Sequence, residues 1–205
     1  MKKVIICDIP MKVGLTPSVY KSFDNSIPSS DEPVVFPINS FLDGTLSADD
    51  DIKVLLLVKR DDAGNYKKNA ERFIEEFSAA CEWKVASAEI KTIETDYSEE
   101  KNVHEQLLGE IIDSIDDGSH IIADITYGPK DLPIVLFSAL SFAEKFLGCE
   151  IGNIIFGKVD WIDGMPTNPQ LCDMAPLYTV STVANIIRCD SSDQARKMLK
   201  SLLSL

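Results

Sequence analysis

Short unbroken apolar runs recur along this chain, and each is closed by a polar turn. Val4-Ile5-Ile6-Cys7 is the first, and positions 52–58, 120–125 and 153–157 repeat the pattern. Such runs predict strands buried on both faces, and 85–93 carries a further strand. Between them the apolar spacing changes to the helical period. Phe73, Phe77 and Ala80 mark one face of a helix over 66–82. Val103, Leu107, Leu108, Ile111, Ile112 and Ile115 stripe the next, which Asp96 to Glu100 open and Asp116-Asp117-Gly118 end. A helix from about 134 to 147 is apolar on nearly every side and is expected to be central. Two shorter helices follow, over 178–188 and from a cap at Asp190 or Ser191 to 205. The pattern is weaker over 15–46, where it allows a helical turn at 18–23, a short strand at 34–36 and a short helix at 39–46. Positions 159–176, rich in Pro, Asp and Gly, read as a loop.

Strands alternating with helices predict an α/β, Rossmann-like fold, a mostly parallel sheet with helices on both faces. The 205 residues fit one domain. It is expected over 1–178, with 179–205 a C-terminal helical extension of it.

Charge narrows the partners. The net charge of −13 argues against duplex nucleic acid, which demands a broad basic face. It leaves room for a small anion, because helix N-termini supply donors locally. Five cysteines, an odd number with no C-x-x-C pair, read as reduced thiols of a cytoplasmic protein. With only His104 and His120 available, no zinc site is expected, nor any other metal or cofactor. No apolar run reaches the roughly 18 residues of a membrane span. The apolar run after Met1-Lys2-Lys3 meets Asp8 and Pro10 too soon for a signal peptide.

Ligands of open parallel sheets bind beyond the carboxyl ends of the strands. The loops after Cys7, Val58 and Ile125 therefore hold the candidate chemistry, with Gly157-Lys158 as a fourth contributor. In the third loop, Thr126 offers a hydroxyl, Gly128 a tight turn and Pro129 a first helical position. Lys130 offers a mobile cation where free N–H groups favour phosphate. A plain strand-to-helix turn also favours Thr, Gly and Pro. Lys59 and Arg60 end the second strand; Arg60 next to Asp61 and Asp62 reads equally as a solvated charge cluster. Asp8 suits either a base or ribose contact or a turn cap. G-x-G-x-x-G, the P-loop, G-x-S-x-G and H-E-x-x-H are all absent.

Asp124-Ile125-Thr126-Tyr127-Gly128 resembles the D-x-T-H-G motif of the CARF family of CRISPR-associated proteins. The basic Lys130, the proline Pro133, the apolar helix after it and the strand Ile154-Ile155-Phe156-Gly157 fit the same pattern. The specific motif spans about ten residues. Tyr127 stands in place of the motif histidine and Lys130 in place of the usual arginine, which removes bidentate recognition.

The resemblance implies a homodimer that holds a cyclic oligoadenylate across its two-fold axis. Thr126, Gly128, Pro129 and Lys130 would hold phosphates and riboses, and Tyr127, in the histidine's place, would donate a hydrogen bond and stack. Asp8, Ile9 and Pro10 would line the adenine pocket, with Arg60 at its rim. Most members couple the sensor to an effector, for which the two short helices after 178 leave no room. Three readings stay open: a cyclic oligoadenylate sensor of type III CRISPR antiviral defence, freestanding or cut from a longer effector; a metal-independent ring nuclease acting on that ligand through Lys130; and an unrelated Rossmann-like interaction domain.

Overall fold

A computed structural model describes residues 1–22, 26–81, 85–163 and 165–203. The expected ends of two helices, at 82 and 205, and residue 23 of the expected turn at 18–23 lie outside the described residues. The chain forms an α/β, Rossmann-like fold. Its strands are β1 (Lys2–Ile9), β2 (Lys21–Ser22), β3 (Asp51–Arg60), β4 (Ser87–Asp96), β5 (His120–Asp124), β6 (Glu150–Ile162) and β7 (Met165–Asp173). Its helices are α1 (Pro37–Asp43), α2 (Asn65–Cys81), α3 (Lys101–Ser114), α4 (Asp131–Phe146), α5 (Ala175–Ile186) and α6 (Ser192–Leu202).

The seven strands lie in the order β2-β7-β6-β5-β1-β3-β4. From β4 to β6 every pairing is parallel, and β7 returns antiparallel to β6. β1 is central: Ile5 faces Val54 on one side and Ile122 on the other. Two cores result. Ile5, Cys7, Leu56 and Val58 pack beneath α1 and α2 with Phe36, Phe73 and Phe77, while Val4, Ile6, Leu55 and Leu57 pack beneath α3 and α4 with Leu107, Leu136 and Leu140. Alternation along β1 sends successive residues to opposite cores, which explains why the strands read as continuous apolar runs.

Three expectations are corrected. Positions 159–176 form not a loop but a β-hairpin, β6 running on to Ile162 and β7 returning to Asp173. Asp163, at φ 51°, makes its turn. Pro166 and Pro169 hid the strand from the pattern; among the described residues β7 meets β2 at Gln170 and Leu171 alone, which leaves both prolines outside that pairing. The helix α4 is not buried all round: Ile134 and Phe146 are 71% and 63% exposed. Residues 34–36 make only an isolated bridge, Val34 with Ser18, before the chain turns into α1. The cap on α6 is Ser191, whose Oγ accepts from the Gln194 N–H at 3.3 Å. No described helix is long and apolar enough to cross a membrane.

Candidate functional site

The strand order reverses at β1. From there the chain builds outward to β3 and β4, and then returns to place β5 and β6 on the opposite side. The loops diverge at such a point and leave a crevice at the carboxyl edge. A cavity of about 290 Å³ occupies it. The loop after β1 supplies Lys12, Leu15 and Tyr20, the turn after β5 supplies Thr126 and Tyr127, and β6 supplies Phe156 to Val159, including Lys158. Lys158 Nζ lies 3.5 Å from Asp160, on the same hairpin.

Each motif residue of the β5 turn has an identifiable part in shaping it. Asp124 ends β5, fully buried, and its Oδ1 accepts from the backbone N–H of Thr126 at 2.7 Å. That is an Asx turn, the side chain closing the loop on itself. Burial raises the Asp124 pKa to about 6, against the pull of hydrogen bonds from Thr126 and the Ile38 N–H. Thr126 Oγ1 accepts from the Gly157 N–H at 2.8 Å and so ties the turn to β6. Gly128 sits at φ 86° with Asp8 beneath it, and a Cβ there would meet Leu132 Cδ1 at 2.7 Å. Only glycine fits on both counts.

Tyr127 anchors the turn from the other side. Its hydroxyl donates to the Val35 carbonyl at 2.7 Å, and its ring meets Phe36 edge-on at 5.9 Å. Burial, then Tyr20 and Asp124, push its phenol well above the ordinary range. Tyr127 therefore stays neutral and contributes a ring and a dipole, not a charge. Pro129 is half-buried, and Gly128 and Lys130 are exposed beyond the cavity wall, Lys130 immediately before α4.

The remaining expected residues lie elsewhere. Ile9 is wholly within the α1/α2 core. Pro10 is buried, and its carbonyl accepts from Asn69 Nδ2 at 2.6 Å. Neither lines the cavity. Arg60 is exposed at the far end of β3, held by Asp96 at 2.5 Å. Asp8 is fully buried and neither of its oxygens has a hydrogen-bond partner. Burial, then the Asp124 and Asp131 charges, push its carboxyl up. The neighbouring Cys7 thiol is pushed up by burial and by the same two strand-end carboxyls, Asp124 and Asp8, which argues against a nucleophile.

Alternation explains why Asp8 and Lys59 share the sheet face toward α3 and α4, whereas Cys7 and Asp124 share the other. On the first face Lys59 Nζ, 1% exposed, stands 3.0 Å from Asp131 Oδ2, off the hydrogen-bond direction. His104 Nε2 lies 3.0 Å from the same oxygen and 3.5 Å from Glu99. The ligand atoms of Glu99, His104 and Asp131 converge within 4.8 Å. The Lys59 ammonium already provides the positive charge there, so we assign no metal to them. The apolar reading of β3 passed over Lys59 as a buried group. Its position directly after seven strand residues was the one signal of it.

The fold and cavity define an α/β domain with a ligand-sized crevice at its topological switch point. No protein-family model matches the chain, and no curated protein matches it.

Proposed function

We propose that this chain is a CARF-type sensor that binds a cyclic oligoadenylate in type III CRISPR antiviral defence, working as a cytoplasmic homodimer. The observation that carries the reading is the cavity itself. It lies at the strand-order reversal, and its wall includes Thr126 and Tyr127 of the D-x-T-Y-G segment. Lys12 and Lys158 line it, giving an acidic chain two local cations for phosphate. Tyr127 and Phe156 offer ring surface to a base. Lys130, immediately before α4, stands just outside, where a ligand larger than the cavity would continue.

The exposed stripe of α4 supports a second copy as partner. Ile134, Ser138, Phe142 and Phe146 recur every four residues, and the two phenylalanine rings lie 4.9 Å apart. The stripe begins one turn after Lys130. A two-fold axis running along α4 would bury it and set two 126–130 turns side by side, doubling every contact to a symmetric ligand.

The test is incubation with cyclic tri-, tetra- and hexa-adenylate in EDTA, with bound and free ligand read by mass spectrometry. Retention of one intact ring is the expected result. Linear products would make the chain a ring nuclease instead. Neither retention nor cleavage of any ring would leave it an unrelated interaction domain.

A further inference from the structure

We propose that His104, through Asp131 and the buried Lys59, sets the charge behind the 126–130 turn, so that protonating His104 tightens the hold of that turn on an anion. The proposal rests on the reading of this turn as the phosphate site.

Asp131 is the first residue of α4 and follows Lys130 directly. A carboxylate there suits the helix dipole, but its charge repels any phosphate approaching the adjoining 126–130 turn. In this fold the competing charge is drawn inward. The Asp131 side chain is only 10% exposed, and its Oδ2 faces two nitrogens at 3.0 Å, Lys59 Nζ from β3 and His104 Nε2 from α3. Its other oxygen, Oδ1, is buried with no hydrogen bond, and so is the Lys59 ammonium. The pair is thus balanced by charge and not by a satisfied hydrogen-bond network, and one added proton in its neighbourhood is felt strongly at low dielectric.

His104 is the group placed to deliver that proton. It is 28% exposed, so it exchanges with solvent while touching the buried pair. The charged groups about it are Asp131 on α4, Glu99 before α3 and, through Asp131, Lys59 on β3; the titratable Asp8 carboxyl on β1, raised by burial, Asp124 and Asp131, faces the same pair. With His104 neutral, Lys59 offsets only one of the two carboxylates, Asp131 and Glu99. With His104 protonated, both are offset, and the negative charge behind the phosphate turn falls by one. Histidine is the side chain suited to switching between pH 5 and 8.

The measurement is calorimetric binding of cyclic tri-, tetra- and hexa-adenylate between pH 8 and pH 5.5, a range in which the ligand phosphodiesters keep their charge. Wild type should bind its ring about tenfold more tightly at the lower pH. His104→Gln keeps a hydrogen-bond donor to Asp131 but no titrating charge. It should match wild type at pH 8 and lose most of the gain at pH 5.5; the raised carboxyls of Asp124 and Asp8 account for any slope that remains. A thermal melt of each protein at both pH values verifies the fold. Asp131→Asn, where it folds, should bind at pH 8 as wild type does at pH 5.5. A His104→Gln protein with the full wild-type slope would overturn the proposal while leaving the site standing. Absence of binding at every pH, or binding indifferent to Lys130→Ala, would overturn the reading of the site and the proposal with it.

Discussion

The Gly157 backbone N–H donates to Thr126 Oγ1 at 2.8 Å, joining the turn after β5 to the start of the β6–β7 hairpin. The contact exists because Gly157 carries no Cβ. An added Cβ would run into the Pro37 ring at the head of α1 and come within 3.2 Å of Thr126 Cγ2. Gly157→Ala should therefore cost about 1–3 kcal/mol, the range for overpacking a filled site. Thr126→Val should cost about 1–3 kcal/mol by orphaning the N–H, whereas Thr126→Ser, which keeps the oxygen, should stay near wild type. Urea denaturation of the three proteins checks this. Equal losses for Val and Ser would show that the hydroxyl does not hold the hairpin.

The buried carboxyl of Asp124 predicts an unusual pH profile. Its pKa is about 6 when folded and roughly 3.9 in an unfolded chain. Below pH 4 it is neutral in both states and costs nothing. Between pH 4 and 6 the folded state keeps a proton that the unfolded state has released, so stability falls as pH rises. Above pH 6 the full penalty applies, about 3 kcal/mol at 1.36 kcal/mol per unit. Asp8, raised in the same direction, adds slope of the same sign. Asp124→Asn keeps an oxygen for the Thr126 N–H and removes the charge. Its stability relative to wild type should improve steadily from pH 4 to pH 7 in urea titrations. The absolute offset depends on how the new amide meets the Ile38 N–H, but its pH dependence does not. A difference independent of pH would mean that Asp124 stays ionised in the fold.

The same residues show what a sequence discloses and what it hides. The runs at Val4 to Cys7 and Leu55 to Val58 declared their strands because both faces of the sheet are covered, and the fold class followed. The segment at Asp124, Thr126 and Gly128 is legible as a strand-to-helix turn, and each residue has a definite local task there. Ile9 and Pro10 were placed beside the ligand by resemblance, yet alternation and a hydrogen bond to Asn69 turn them inward. The cluster of Lys59, His104 and Asp131 could not be read at all. It unites three elements that lie far apart in the chain, and no local period records which strand ends share a face. The β7 arm of the hairpin is concealed by prolines, which a strand accepts only where its N–H groups are not needed, as at its start, at a bulge or on an open edge.

A further relation invisible in the sequence fixes the start of α1. This helix has Phe36 at its N-cap and no capping side chain of its own. Glu76, from α2, supplies the missing acceptor: Oε1 takes the Val35 N–H at 2.9 Å and Oε2 the Phe36 N–H at 3.2 Å. Asn39 Nδ2 donates to the same carboxylate at 3.3 Å. Glu76→Ala should cost about 1–2 kcal/mol, as the loss of a good cap does. Because Val35 also receives the Tyr127 hydroxyl, the loss should reach the cavity: cyclic oligoadenylate binding should weaken along with stability. Glu76→Gln, which retains one oxygen, should recover about half of the stability. A Glu76→Ala protein as stable as wild type would show that α1 is held by its buried face alone.

Asp50 predicts the opposite pH response from Asp124 and so separates the two ends of the sheet. It lies just before β3, with its side chain 3% exposed and its Oδ2 2.5 Å from Lys3 Nζ on β1. The Ser47 N–H donates to the same oxygen at 2.9 Å. Burial alone would raise its pKa, but the hydrogen bonds and charge from Lys3 and Ser47 outweigh it and leave the pKa below the ordinary value. Here the ionised form stabilises the fold. That contribution is complete above the unfolded pKa, near 4, and is lost as pH falls through the lower folded value. Asp50→Asn should cost about 1.5–3 kcal/mol at pH 7, the worth of a hydrogen-bonded charge. The cost should shrink on acidification below pH 4. Urea titrations of the Asp50→Asn and Asp124→Asn proteins over one pH series should therefore show differences from wild type that run in opposite senses, the first closing below pH 4 and the second opening above it. Parallel differences would mean that Lys3 does not hold Asp50 ionised in the folded chain.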